Sequence, residues 1–238
     1  MSCTDGASEI YAKLLLLEKL GYPLWYPEPS EDASEMHRTS GVRIGDVGNI
    51  TGVGQFEFYF NVHDEATDPS GWQVWNRGYE YSKPNVRSPG TVVKRGAVTQ
   101  VSLKADLSTS AIGSIGLGSG VDITCSADDS AILVLPDGAT SRDLRRIAEY
   151  LDNLTDDMTS RLLDRARSES VLLVTGYTKS CSWGVAAVSN TSKQGSLSLS
   201  FNATTKVGGN LTGSYEWQST SDGHHREGPR PPSIADNQ

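Results

Sequence analysis

Residues 92–107, VVKRGAVTQVSLKADL, lead through STSAIGSIGLGSG at 108–120 into VDITC at 121–125, and this stretch decides the fold. In it Val101, Leu103, Ala105 and Leu107 fall on one face, and Gln100, Ser102, Lys104 and Asp106 on the other. A period of two at this length predicts a long amphipathic strand. The segment 108–120 is small, rich in glycine and without charge, so it reads as a hairpin tip, with VDITC as the returning strand. The pattern recurs downstream. SLSLSFNATTKV at 196–207 alternates Leu197, Leu199, Phe201 and Ala203. Gly208-Gly209-Asn210 supplies a turn, and NLTGSYEWQST at 210–220 returns with Leu211, Gly213, Tyr215 and Trp217 on one face.

Outward from these hairpins, residues 8–20 (SEIYAKLLLLEKL) predict a short helix capped by Ser8 and ended by Gly21. A Pro-rich, acidic connector fills 22–40. Glycines at 41, 45, 48, 52 and 54 precede a strand with Phe56, Phe58, Phe60 and Val62 on one face. Residues 63–90 read as loop, with Trp72, Trp75, Tyr79 and Tyr81 close together. Two helices are expected across 139–167. The first buries Leu144, Ile147, Ala148 and Leu151; the second is capped by Thr155. SVLLVTGYT at 170–178 and SWGVAAVS at 182–189 are apolar enough to be central strands. Strands and helices are segregated, which predicts the α+β class: an antiparallel or mixed twisted sheet with long amphipathic hairpins and a helix pair. One domain is expected over 1–218, and a polar, Pro-rich, disordered tail over 219–238.

Composition excludes several functions. With 238 residues, 37% of them hydrophobic, the chain can bury a core; its net charge of −8 is wrong for a dedicated nucleic-acid binder. The apolar run Leu14–Leu17 is too short for a signal sequence, and no stretch approaches the ~18–20 apolar residues of a spanning helix. A cytoplasmic protein is expected. The sequons at Asn49, Asn153, Asn190, Asn202 and Asn210 then read as chance products of a Ser/Thr-rich chain. GSIGLGSG at 113–120 lacks the Lys-Ser/Thr and the following helix of a phosphate loop. Asp46, among glycines, reads as a residue bonding its own turn. His63, Cys125, Cys181 and the His224-His225 pair form no nucleophile elbow, zinc-protease or Cys–His signature. Cys125 and Cys181 are expected as small core residues. No catalytic residue, cofactor or metal ligand is expected, and no enzyme.

Charge placement points elsewhere. From Tyr81 to Ala105 the chain carries Lys83, Arg87, Lys94, Arg95 and Lys104 and no acidic residue, although the protein is acidic. Anionic lipid attracts such a segment by about 1 kcal/mol per basic residue near the surface. The upstream aromatics suit a membrane interface, and equally a solvated basic loop whose aromatics pack on the core; a transmembrane β-strand needs the same alternation as these hairpins, and so does a soluble sheet with its apolar face on the helices.

Three blocks, GYPLWYPEP with GVRIGDVGNITGVGQFEFYFNV (21–62), AILVLPDGA (131–139) and LLVTGYTKSCSWGVA (172–186), resemble an uncharacterised family of proteins from mushroom-forming fungi. That family usually has Cys where Tyr177 stands, and continues with another apolar strand beyond the position of Gln238, which implies a truncated end here. The order of elements, two amphipathic hairpin regions separated by a helical segment, is similar in layout to the pore-forming N-terminal domain of gasdermins. This similarity implies a pore former of fungal cell death or defence. It would be monomeric in the cytoplasm and homo-oligomeric on acidic lipid at the plasma membrane, with no nucleic-acid partner. Lys83, Arg87, Lys94, Arg95 and Lys104 would bind lipid. Val101, Leu103, Ala105, Leu107, Leu197, Leu199, Phe201, Tyr215 and Trp217 would insert. The alternative is a soluble, non-enzymatic ligand- or protein-binding module.

Overall fold

A computed structural model of the chain describes residues 5–63, 80–104, 120–152, 160, 170–189, 197–204, 214–219 and 224–228. The elements are α1 (Asp5–Leu15), a 3-10 turn (Leu16–Glu18), α2 (Glu35–Ser40), β1 (Asp46–Ile50), β2 (Phe56–Asn61), β3 (Asn85–Arg87), β4 (Thr91–Lys104), β5 (Gly120–Leu135), β6 (Ala139–Asp143), α3 (Ile147–Asp152), β7 (Leu172–Leu173), β8 (Gly176–Lys179), β9 (Trp183–Val188), β10 (Leu197–Thr204), β11 (Ser214–Ser219) and β12 (His224–Gly228). The described residues are sheet-rich, with antiparallel sheets and few helices, which is compatible with the expected α+β class though mostly β. Two compact units interleave along the chain, where one domain was expected. The first comprises residues 1–23, 86–139 and 179–238; the second comprises 24–85 and 140–178.

The first unit is built on β5. Its first half, 120–125, pairs with β10, and its second half, 130–134, pairs with β9. Along its other edge β5 pairs with β4 from Thr91 to Lys104. The sheet runs β11-β10-β5-β9-β12, with β4 also on β5. The apolar residues of both halves meet in one core of Val121, Ile123, Cys125, Ile132, Val134, Ala186, Val188, Leu199, Phe201 and Trp217. Two ladder irregularities, at Gly96/Val98 and Val98/Gln100, interrupt the β4–β5 register between the halves. The indole N–H of Trp217 donates to the carbonyl of Arg226 at 3.0 Å, so the two ends of the sheet meet. Helix α1 buries Ala7, Ser8, Tyr11, Ala12 and Leu15.

The second unit holds β1 between β2 and β7, all antiparallel. Ile44, Val47, Val62, Leu144 and Tyr150 form its core. Helix α2 is capped by Ser34, whose hydroxyl accepts from His37 N, and His37 is its one buried residue.

Several expectations change. The first helix starts at Asp5, so Ser8 lies inside it, buried, and not at the N-cap position. Residues 139–143 are strand, and Arg146 takes a left-handed φ of 54°. Helix α3 therefore begins only at Ile147, with a rotated phase. Ile147 and Leu151 are exposed, and Tyr150 is buried in their place. The expected second helix lies outside the described residues except at Ser160. Residues 170–178 are peripheral rather than central: β7 is two residues long, at the edge of its sheet, with Leu172 exposed. Residues 224–228, expected within a disordered tail, form β12 on β9. Cys181 is exposed rather than in the core.

Candidate membrane-interaction site

The two hairpins of the first unit lie side by side, as β4-β5-β10-β11, and their registers align. One rung runs Leu103, Val121, Phe201, Trp217; the next runs Ser102, Asp122, Ser200, Gln218; the third runs Val101, Ile123, Leu199, Ser219. Because side chains alternate across a pleated sheet, the ribbon has two chemically distinct faces. On one, Val121, Ile123, Leu199, Phe201 and Trp217 are buried, and Val101 and Tyr215 are packed against them. On the other, Gln100, Ser198, Glu216 and Gln218 are exposed, and Ser102, Asp122, Thr124, Ser200 and Asn202 are half-buried. The hydroxyl of Ser200 donates to Asp122 Oδ1 at 2.6 Å, joining the hairpins on the polar side.

Phe201 is the centre of the apolar face. Its ring lies 4.7 Å from that of Trp217 and 5.5 Å from that of Tyr215. It rests directly on Gly184 of β9, where a Cβ would come within 2.6 Å of the ring. Of the other expected inserting residues, Leu103 and Leu197 pair with Val121 and Cys125 in the ladders, and Ala105 and Leu107 lie outside the described residues.

The expected lipid-binding residues divide. Lys83 is exposed, in the second unit. In the first, Arg87 on β3 is half-buried, Lys94 and Arg95 on β4 are exposed, and Lys104 closes β4. Arg95 Nη1 lies 3.2 Å from Glu18 Oε1, which brings the 3-10 turn alongside the start of β4. That contact exposes a group the sequence reading missed. Leu16, Leu17, Leu20 and Tyr22, around the Glu18 that pairs with Arg95, are 44%, 58%, 40% and 46% exposed. The signal was present as LLLLEKLGY, where four consecutive leucines exceed what one buried helical stripe can hold. Trp72, Trp75 and Tyr79 lie outside the described residues; Tyr81 is exposed, with Arg142 5.3 Å above its ring.

In the second unit, Asp46 behaves as its turn chemistry predicts and has further partners. Arg43 N donates to its Oδ2 at 2.6 Å, and the side-chain amide of Asn61 donates to its Oδ1 at 2.7 Å. His37 Nδ1 and Arg43 Nη2 stand 3.8 and 3.9 Å from the carboxylate. Asp46 is fully buried, and this burial raises its pKa above the ordinary carboxylate value; the Arg43 and Asn61 hydrogen bonds, with the charges of Arg43 and His37, oppose the rise. His63 Nε2 lies 2.9 Å from the Tyr150 hydroxyl, whose pKa is also raised by burial. The cluster is locked by its own hydrogen bonds and holds the loop 43–46 against β2.

Among the described residues, no group of three or more His, Cys, Asp or Glu side chains is placed to hold a metal ion. Among them, too, no helix is long and apolar enough to cross a membrane, a fact without bearing on strands. No family model matches the chain, and no curated protein or solved structure matches it.

Proposed function

We propose that the chain is a gasdermin-like pore former: a protein that docks on acidic lipid, unfolds its two hairpins from the first unit, and inserts them as a homo-oligomeric β-barrel. The role is one of fungal cell death or defence, from the cytoplasm to the plasma membrane. The observation that carries the reading is the aligned four-stranded ribbon β4-β5-β10-β11, whose alternate rungs are apolar and polar. A barrel wall needs that division, with lipid on one side and water on the other. Exchanging the core for lipid keeps the apolar face itself out of water in both states, while Ile132, Val134, Ala186 and Val188 lose the cover it gave them. The polar side, with the Ser200–Asp122 bond, would face the lumen. Docking falls to Lys94 and Arg95 with Arg87, at about 1 kcal/mol each near an anionic surface. Leu16, Leu17, Leu20 and Tyr22, around the Glu18 that pairs with Arg95, supply the apolar anchor.

The test is dye release from vesicles of phosphatidylcholine with a third of phosphatidylserine. Release is expected from these and not from pure phosphatidylcholine, and Leu17→Glu with Arg95→Glu should abolish it. A protein that binds and permeabilises neither vesicle sinks the proposal.

A second reading, a soluble binding module, is favoured by one observation. Val121, Ile123, Leu199 and Phe201 are at most 1% exposed, so the apolar face is already satisfied inside the folded unit. That reading expects no association with either vesicle.

A further inference from the structure

The ribbon β4-β5-β10-β11 has two outer strands, and they end differently. β11 stands against β12, where the Trp217 indole donates to the Arg226 carbonyl at 3.0 Å. β4 runs for 14 residues, and among the described residues β5 is the only strand paired with it. The core thins toward that edge. Val134, Cys125 and Ile123 of β5 are buried, while their ladder partners Val92, Val98 and Val101 are only partly buried against the same core. An outer strand of this kind offers a row of backbone N–H and C=O groups with which a further strand can pair.

Charge limits what that strand can be. Between Thr91 and Lys104 the chain carries Lys94, Arg95 and Lys104 and no acidic residue. Lys94 and Arg95 are exposed, and their ladder partners Ile132 and Ala131 place them on opposite faces of the sheet. A carboxylate is already accepted here, since Glu18 Oε1 lies 3.2 Å from Arg95 Nη1. A second copy meeting this edge would set like charge against like, which is how natural edges avoid pairing with themselves. We propose that the edge of β4 along Thr91–Arg95 takes an extended acidic peptide segment as an added strand, with carboxylates on two successive residues beside Lys94 and Arg95 and an apolar side chain beside Val92. Lipid headgroups match the charge but supply no strand, so backbone pairing separates the two. The binding needs neither a membrane nor hairpin release, so it stands or falls independently of the pore-forming reading.

The probe is the fluorescent peptide Thr-Val-Thr-Glu-Glu-Thr-Val-Thr, whose pattern fits in either strand direction, titrated by anisotropy against the full chain. Its controls are the same peptide with Lys-Lys for Glu-Glu, and two forms N-methylated on one or the other alternate set of residues. Only one alternate set of a strand's amides faces a given neighbour. Saturable binding of the acidic peptide below about 1 mM is expected, and none of the basic one. One methylated form should bind as the parent does, and the other should not bind. With the acidic peptide present, backbone amide exchange should slow several-fold at alternate residues of 91–95, those whose N–H groups face away from β5. Lys94→Glu with Arg95→Glu, both at exposed positions, should weaken the acidic peptide about tenfold and admit the basic one. No binding, the same result from both methylated forms, protection confined to another strand, or an unmoved affinity in the charge-reversed variant would each overturn the added strand.

Discussion

Replacing Phe201 by alanine tests the assignment of faces on which the ribbon depends. The ring is 1% exposed and touches two other aromatic rings. Below it lies Gly184, which has no side chain to move into the space. Truncation of a buried Phe costs about 3–5 kcal/mol, and a site that cannot collapse falls in the upper half of that range. About 4 kcal/mol is a large share of the ~5–15 kcal/mol that holds a domain folded. With a urea slope near 2 kcal/mol/M, the unfolding midpoint should fall by about 2 M. The control is Gln218→Ala on the opposite, exposed face, expected to stay within about 0.5 kcal/mol. Urea titrations followed by tryptophan fluorescence and by far-ultraviolet dichroism decide it. A Phe201→Ala loss under about 1 kcal/mol, or an equal loss in Gln218→Ala, would refute the reasoning. Either result would mean that β10 or β11 is slipped by one residue, which turns every side chain to the other face.

Gly184→Ala should cost about 1–3 kcal/mol in the same titration, because its Cβ meets the Phe201 ring and forces it aside; a neutral result would place that ring elsewhere. Burial raises the pKa of Asp46, so the folded value lies above the unfolded ~3.9, and the stability this group contributes is complete below that pH and declines as pH rises through the folded value. The stability of the natural chain minus that of Asp46→Asn should therefore fall as pH rises above ~4, and a difference that grows with pH contradicts the burial. Leu17→Glu, at a 58% exposed position, should leave the urea midpoint unchanged while lowering sedimentation with phosphatidylserine vesicles; unaltered sedimentation removes the leucine anchor. Ser34→Ala should cost about 1 kcal/mol of α2 and speed amide exchange at His37, whose N–H loses its acceptor; protection unchanged would show that the cap is idle.

The ribbon was legible because its signal is local. Val121, Ile123, Leu199, Phe201 and Trp217 alternate with polar residues, and each falls on the buried face that period two assigns. The Asp46 turn was legible for the same reason, since its first hydrogen-bond donor lies three residues away. What failed depended on distant partners or on single backbone angles. Residues 224–228, HHREG, carry no apolar alternation. They become β12 through the ladder to β9, with Gly228 against the Trp183 ring and Arg226 5.5 Å above it. The apolar spacing of Leu144, Ile147 and Leu151 suits a helix, but the left-handed Arg146 resets the phase inside it. The exposure of Leu16, Leu17 and Leu20 is not visible in a helical spacing, since which turn of a short amphipathic segment meets the sheet is a matter of packing. The pairing of both hairpins on one strand is likewise a property of topology, which periodicity does not encode.

The division of β5 carries one more consequence. Its leading half keeps company with β10 and its trailing half with β9, and the strand is continuous between them. Peeling the second hairpin away thus unzips only 120–125, while 130–134 stays stitched to its neighbour. On the pore-forming proposal a single sixteen-residue strand would then draw the boundary between the part that leaves and the part that stays.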